Sequence, residues 1–200
     1  MVRAAILSLA VSIEGMANCC IQRWPKVPSG GVDKALWLPT MKRLNTFLGV
    51  LDRAALDPAS TKVTPIEELI SKVRNGFVHP RIEHRPLTLR PEERELEIGA
   101  GEKYEVLGIP KSPQNWTPGD AETVLHFVCE FVDHFFVDAC GFKPRTVAGL
   151  LFDQVDSGGK SQPITGPLND TWHLLRKRWG IELKCLTGIF RPGKRVIMAE

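Results

Sequence analysis

The chain has 200 residues, 43% of them apolar and 24% charged, with a formal net charge of +3. That suits one ample globular domain or a domain with an appendage, and it excludes a chain disordered throughout. Its five cysteines are odd in number and form no C-x-x-C pair, so structural thiols in a reducing cytosol are expected rather than a disulfide framework or a zinc site.

The first predicted element is a helix over residues 2–23. Arg3 followed by the apolar run Ala4 to Ile13 imitates a signal peptide, but no Ala-x-Ala cleavage site follows. Glu14 and Asn18 interrupt the run before membrane-spanning length. The expectation is a cytoplasmic protein without membrane association, its first helix burying Ile6, Leu9, Ala10, Ile13 and Ala17. Trp24-Pro25-Lys26-Val27-Pro28-Ser29-Gly30-Gly31 reads as a loop. Pro39 then suits a second helix start, with Met41, Leu44, Phe47, Leu48 and Leu51 at helical spacing.

Asp57-Pro58-Ala59-Ser60 leads into the most informative stretch, residues 64–80. Thr64 is expected to cap, Pro65 to take the first helical position and Glu67 to close a capping box. Ile66, Leu69, Ile70, Val73 and Phe77 form one apolar stripe, with Arg74 at its margin. Gly76 weakens the last turn, and Pro80 pushes His79 out of the helical region. On an unbroken helix, positions five apart point about 140° away from each other. A helix that ends around Val78 instead lets His79 turn back toward Arg74, which sets an acid/base group beside a permanent cation. Glu14 holds the same marginal position relative to Ile6 that Arg74 holds relative to Ile66, and the two are expected either to pair or to stay solvated separately.

Arg74-Asn75 with His79 four residues beyond Arg74, at the end of an amphipathic helix, resembles the Arg-x4-6-His motif of HEPN domains. Ser12 to Asn18 is similar to the Glu/Asn-bearing first helix of some members. The resemblance covers roughly residues 2 to 142. It implies a metal-independent endoribonuclease without a cofactor, of the kind found among toxins and defence proteins, acting as a homodimer on RNA. Arg74, Asn75 and His79 would be its catalytic residues, with Glu14 and Asn18 supporting. An antitoxin or regulatory protein is a further partner the resemblance implies. Toxins of the family that are silenced by nucleotidyl transfer carry Tyr two residues after the motif His, where this chain has Arg81. The competing reading is a HEPN-like module that dimerises or binds a partner or RNA without cleaving.

Beyond Pro80 the period changes. Residues 87–89, 95–98 and 103–107 read as strands, with Gly99-Ala100-Gly101 as a turn. No phosphate loop is completed there or at Gly158-Gly159-Lys160-Ser161. Thr117-Pro118-Gly119-Asp120 introduces the most apolar helix, predicted over about 121–139, and Cys140-Gly141 ends it. His126, Glu130 and His134 lie opposite its apolar face, and a polar stripe there is read as surface rather than as a metal site.

Residues 143–200 hold ten Lys/Arg against five Asp/Glu, whereas residues 1–142 hold sixteen against eighteen. Residues 156–161 read as a flexible joint, 169–179 as a helix and 181–186 as a strand. Arg176, Lys177 and Arg178, among tryptophans, are the candidate RNA-binding cations. The fold expected is mainly α: a bundle of about four helices over residues 1–142 with a small β insertion, and a basic C-terminal extension over 143–200.

Overall fold

The computed structural model describes residues 1–24, 29–78, 87–90, 95–98, 101–157, 160–164 and 168–190. The protein is mainly α-helical. Its helices are α1 (Val2–Arg23), α2 (Ser29–Leu36), α3 (Thr40–Val50), α4 (Thr64–Glu68), α5 (Asn75–Val78), α6 (Pro118–Asp133), α7 (Pro144–Leu151) and α8 (Asn169–Trp179). A π-helical turn, Leu69–Arg74, joins α4 to α5, and a second, His134–Ala139, extends α6. Two antiparallel hairpins complete the set. One is β1 (Leu87–Arg90) with β2 (Glu95–Ile98), and the other is β3 (Gln154–Ser157) with β4 (Lys160–Pro163).

Contacts divide the chain into two compact units, Met1–Ser12 with Asp57–Val128 and Ile13–Leu56 with Cys129–Glu200. In the first unit Ile6, Ile66, Leu69 and Val124 are wholly buried. Thr117 and Asp120 form a reciprocal cap at the start of α6, each backbone N–H donating to the other's side chain, at 2.6 and 3.3 Å. The β1–β2 register pairs Leu87 with Ile98 and Leu89 with Leu96, which realises the expected β insertion for those two segments. The third expected strand, 103–107, is instead a tight turn. Gly108 takes φ +68°, its N–H donates to Tyr104 O at 3.0 Å, and Tyr104 N–H donates to Ile109 O at 2.9 Å. The left-handed glycine reverses the chain where strand alternation predicts extension. The expected turn residues Gly99 and Ala100 lie outside the described residues.

The second unit is built on aromatic packing. Phe47, Phe131, Phe135 and Phe136 are fully buried, each worth about 1.5–3 kcal/mol relative to exposure. Trp24 stacks on Phe142, with centroids 5.1 Å apart, and meets Phe47 edge-on at 5.8 Å. The π turn after α6 closes with Cys140 N–H donating to Phe135 O at 2.9 Å, and Gly141 at φ +69° then ends the helix. Burial raises the Cys20 thiol, with Cys140 and Cys19 beside it adding to the effect, and it pushes the Cys140 thiol up to about 12. Thiols so protonated are inert packing groups.

Several local expectations change in this unit. Ser29 to Gly31, read as loop, already belong to α2, whose Ala35 is buried. Asp156, Ser157, Lys160 and Ser161, read as part of a flexible joint, are paired in β3 and β4, with Asp156 opposite Ser161 and Ser157 opposite Lys160. Residues 181–186 are not a strand. The Asp133 carboxylate accepts the N–H groups of Lys184 and Cys185, both at 2.9 Å, and this draws Lys184–Leu186 into a 3₁₀ turn.

α1 is long and apolar enough, by length and composition, to cross a membrane. Its Ile6, Ala10, Ile13, Ala17, Cys20 and Ile21 are fully buried, whereas Leu9, expected on the buried stripe, is half-buried.

Candidate functional site

The helical segment 64–78 begins one residue earlier than its capping signals suggest. Ser60 O already accepts the N–H groups of Val63 and Thr64, both at 2.9 Å. The Thr64 hydroxyl turns back to donate to Ser60 O at 2.9 Å and Pro58 O at 3.0 Å. Val63 is therefore the N-cap residue, without a side-chain cap bond, and Pro65 stands within the first turn. The expected Thr64/Glu67 capping box does not form, because the 57–63 turn supplies the acceptors first.

Ile66, Leu69 and Val73 are buried as the stripe predicts, with exposures of 0–1%, but Phe77 is 39% exposed. The π turn accounts for the difference. One extra residue per turn rotates the residues beyond it by roughly 100° relative to an unbroken α-helix. Phe77 is thereby carried out of the stripe that Val73 ends. Arg74, the last residue of the π turn, is half-buried, and its Nη1 donates to Asn75 Oδ1 at 3.0 Å. α5 is described to Val78; His79 and Arg81, and with them the expected end of the helix, lie outside the described residues.

Glu68 is the residue of this region that sequence reasoning missed. It is 4% exposed and accepts the N–H groups of Val106 and Leu107 at 2.9 Å through one oxygen, and Lys72 Nζ at 3.0 Å through the other. Burial by itself would raise its carboxyl. The bonds from Leu107, Lys72 and Val106 outweigh that and hold it below the ordinary carboxyl value. Glu68 thus ties the 103–110 turn to the helix that carries Arg74.

Glu14 and Asn18, the expected supporting residues, stand one turn apart on the part of α1 that belongs to the second unit, whereas Arg74 and Asn75 belong to the first. Both are half-buried. Asn18 Oδ1 accepts a hydrogen bond from Arg43 Nη1, and Arg43 Nη2 donates to Thr40 Oγ1 at 3.1 Å. Arg43 is only 9% exposed, a buried cation within the Leu44/Phe47/Leu48 helix. Its position four residues before Phe47 was the one available sign of burial.

Of the expected surface stripe, His126 and Glu130 are exposed on α6, and in the π turn that follows His134 Nδ1 lies 2.9 Å from Asp138 Oδ2. Among the described residues no three His, Cys, Asp or Glu side chains come together.

Arg176, Lys177 and Arg178 fill the last turn of α8, which Gly180 closes at φ +63°. Arg176 lies 3.4 Å from Glu182, and the Arg178 guanidinium sits 5.1 Å from the centroid of the Trp179 ring. Lys177 is exposed. Changing all three to glutamine is expected to weaken single-stranded RNA association and to flatten its salt dependence by about 0.7 in log–log slope per lost phosphate contact. Anisotropy titrations at several salt concentrations measure this, and an unchanged slope assigns binding to another surface.

No family model, no curated protein and no solved structure matches this chain.

Proposed function

We propose that the protein is a metal-independent endoribonuclease of HEPN type. The observation that carries the reading is the helical segment 64–78, in which Arg74 is the last residue of a π turn and Asn75 follows it directly, its side chain bonded to the Arg74 guanidinium. The mainly α fold supports it. In this reading His79 takes the proton of a ribose 2′-hydroxyl as that oxygen attacks the adjacent phosphorus. The 5′-oxygen leaves with a proton from solvent water, His79 later returns its own proton to solvent, and a 2′,3′-cyclic phosphate remains. Arg74 stabilises the negative charge that develops on the phosphoryl oxygens, and Asn75, already bonded to Arg74, fixes the guanidinium plane.

The test is incubation of purified protein with single-stranded RNA in excess chelator. Cleavage leaving 2′,3′-cyclic phosphate and 5′-hydroxyl ends is expected, and activity only on addition of a divalent metal would refute the mechanism. The reading also requires two protomers to bring their Arg/His segments together. Light scattering is expected to give the mass of a two-fold dimer at micromolar concentration, and a monomer would count against the composite site.

A second reading, a dimerisation or partner-binding module without cleavage, is favoured by one observation: α5 leaves Phe77 and Val78 exposed, at 39% and 54%. A dimer that binds RNA yet leaves a broad RNA pool intact would select it. The basic tail, the cytoplasmic location and an antitoxin-like partner belong to the proposal in either form.

A further inference from the structure

Beside Arg74 the first unit builds a fixed aromatic step. The Phe77 and Trp116 rings stack with centroids 6.5 Å apart and planes 22° from parallel, inside the range of offset aromatic pairs. Trp116 is 7% exposed and Phe77 is 39% exposed. The indole is fixed from behind: its Nε1–H donates to Pro110 O at 2.7 Å, and Pro110 is bridged to Lys103. The turn between those two is held by Glu68 through the Val106 and Leu107 N–H groups. Phe77 therefore has one face against an immobilised ring while much of its surface meets water. It also stands three residues from Arg74, the spacing that makes helical neighbours.

An exposed aromatic ring held in one plane would be a costly way to close a helix, since the π turn carries it out of the apolar stripe that would otherwise bury it. Beside a cation it matches what unpaired nucleic acid requires, a stacking face for a base and a positive charge for the neighbouring phosphate. We infer that Phe77 is a base-stacking platform, on which an unpaired nucleobase of single-stranded RNA lies while the adjacent phosphate meets Arg74. The inference rests on the ribonuclease reading and adds to it the part of the substrate the site grips. It makes the enzyme selective for unpaired over duplex RNA, because a base inside a helix has no free face to offer.

The experiment uses a short 2′-O-methylated RNA oligonucleotide carrying 2-aminopurine. It lacks the attacking hydroxyl, so binding is read without cleavage. The wild-type protein is expected to bind it and to quench the 2-aminopurine fluorescence. Phe77→Ala should weaken binding about 5- to 150-fold and abolish the quench, and Phe77→Trp should keep both. The salt slope should be the same in wild type and Phe77→Ala, because stacking releases no counterions. Should the alanine variant unfold, Phe77→Leu carries the same test, since it keeps the apolar bulk and removes the π face. Wild-type affinity and quench in Phe77→Ala would overturn the stacking role and leave the ribonuclease reading standing. Failure of the wild-type protein to bind the oligonucleotide at low salt would overturn both. A Phe77→Ala protein that binds normally but loses mass in light scattering would make the ring a contact between protomers and overturn the stacking role.

Discussion

We expect His79→Ala to lower RNA cleavage by about 10²- to 10⁴-fold, the usual worth of a positioned general acid or base, while far-UV circular dichroism and dimer mass stay at wild-type values. Arg74→Ala should lower it by about 10²- to 10³-fold, the scale seen when one donor to a developing oxyanion is removed. Arg74 needs the closer control. It is half-buried at the end of the π turn and its guanidinium donates to Asn75 Oδ1, so truncation removes stem packing and a side-chain bond as well as charge. Arg74→Lys separates the two effects. The lysine keeps a stem and a positive charge but loses the planar fork, and it should restore folding without restoring the full rate. A lysine variant as active as wild type would show that bulk charge suffices and that the Arg74–Asn75 geometry is incidental. Full activity in His79→Ala would remove the acid/base assignment outright.

The long helices were legible because their signals are local. α1, α3, the 64–78 segment and the helix that continues from Pro118 to Ala139 each carry several apolar residues at helical period between breaker clusters, and period survives whatever the rest of the chain does.

The features that stayed hidden depend on distant partners or on small changes of winding. Glu68 reads as one of two acids in a first helical turn, and nothing near it in sequence shows that its acceptors serve N–H groups 38 and 39 residues away. The π turn at Leu69–Arg74 leaves the set of apolar positions unchanged while altering which of them face inward, so the stripe predicts a buried Phe77 where the structure exposes it. Thr64 and Glu67 carry the right chemistry for a capping box, yet the preceding turn has already satisfied the helix start. Ser29-Gly30-Gly31 opens α2, where two glycines read as a break. Arg74 and Asn75 stand on the helix where the sequence puts them, and His79 lies outside the described residues; what packs around Arg74 was not legible, because Glu68, Trp116 and the 103–110 turn come from the tertiary fold.

The Glu68 support itself should be measurable as a pH-dependent loss of stability. Glu68→Ala is expected to destabilise the fold at neutral pH by about 3 kcal/mol, because it removes hydrogen bonds to a charged acceptor and leaves the buried Leu107 N–H without one. Glu68→Gln should cost about 1–2 kcal/mol, since the amide oxygen can still accept from the backbone while the attraction to Lys72 is lost, and Lys72 is too exposed for that attraction to be worth much. The native carboxyl is held below the ordinary value of 4.5. Its contribution is therefore fully present above that value and disappears as pH falls through the lower native one. Urea unfolding of wild type and Glu68→Gln should differ most near neutrality and converge in acid, with equal m-values if the compactness of both end states is unchanged. A gap that stays constant down to about pH 3 would mean that Glu68 acts by shape rather than charge. Hydrogen exchange at Val106 and Leu107 supplies the local readout. Those two amides should lose protection in Glu68→Ala before the rest of the unit does, because the 103–110 turn that backs Trp116 would no longer be tied to the helix carrying Arg74.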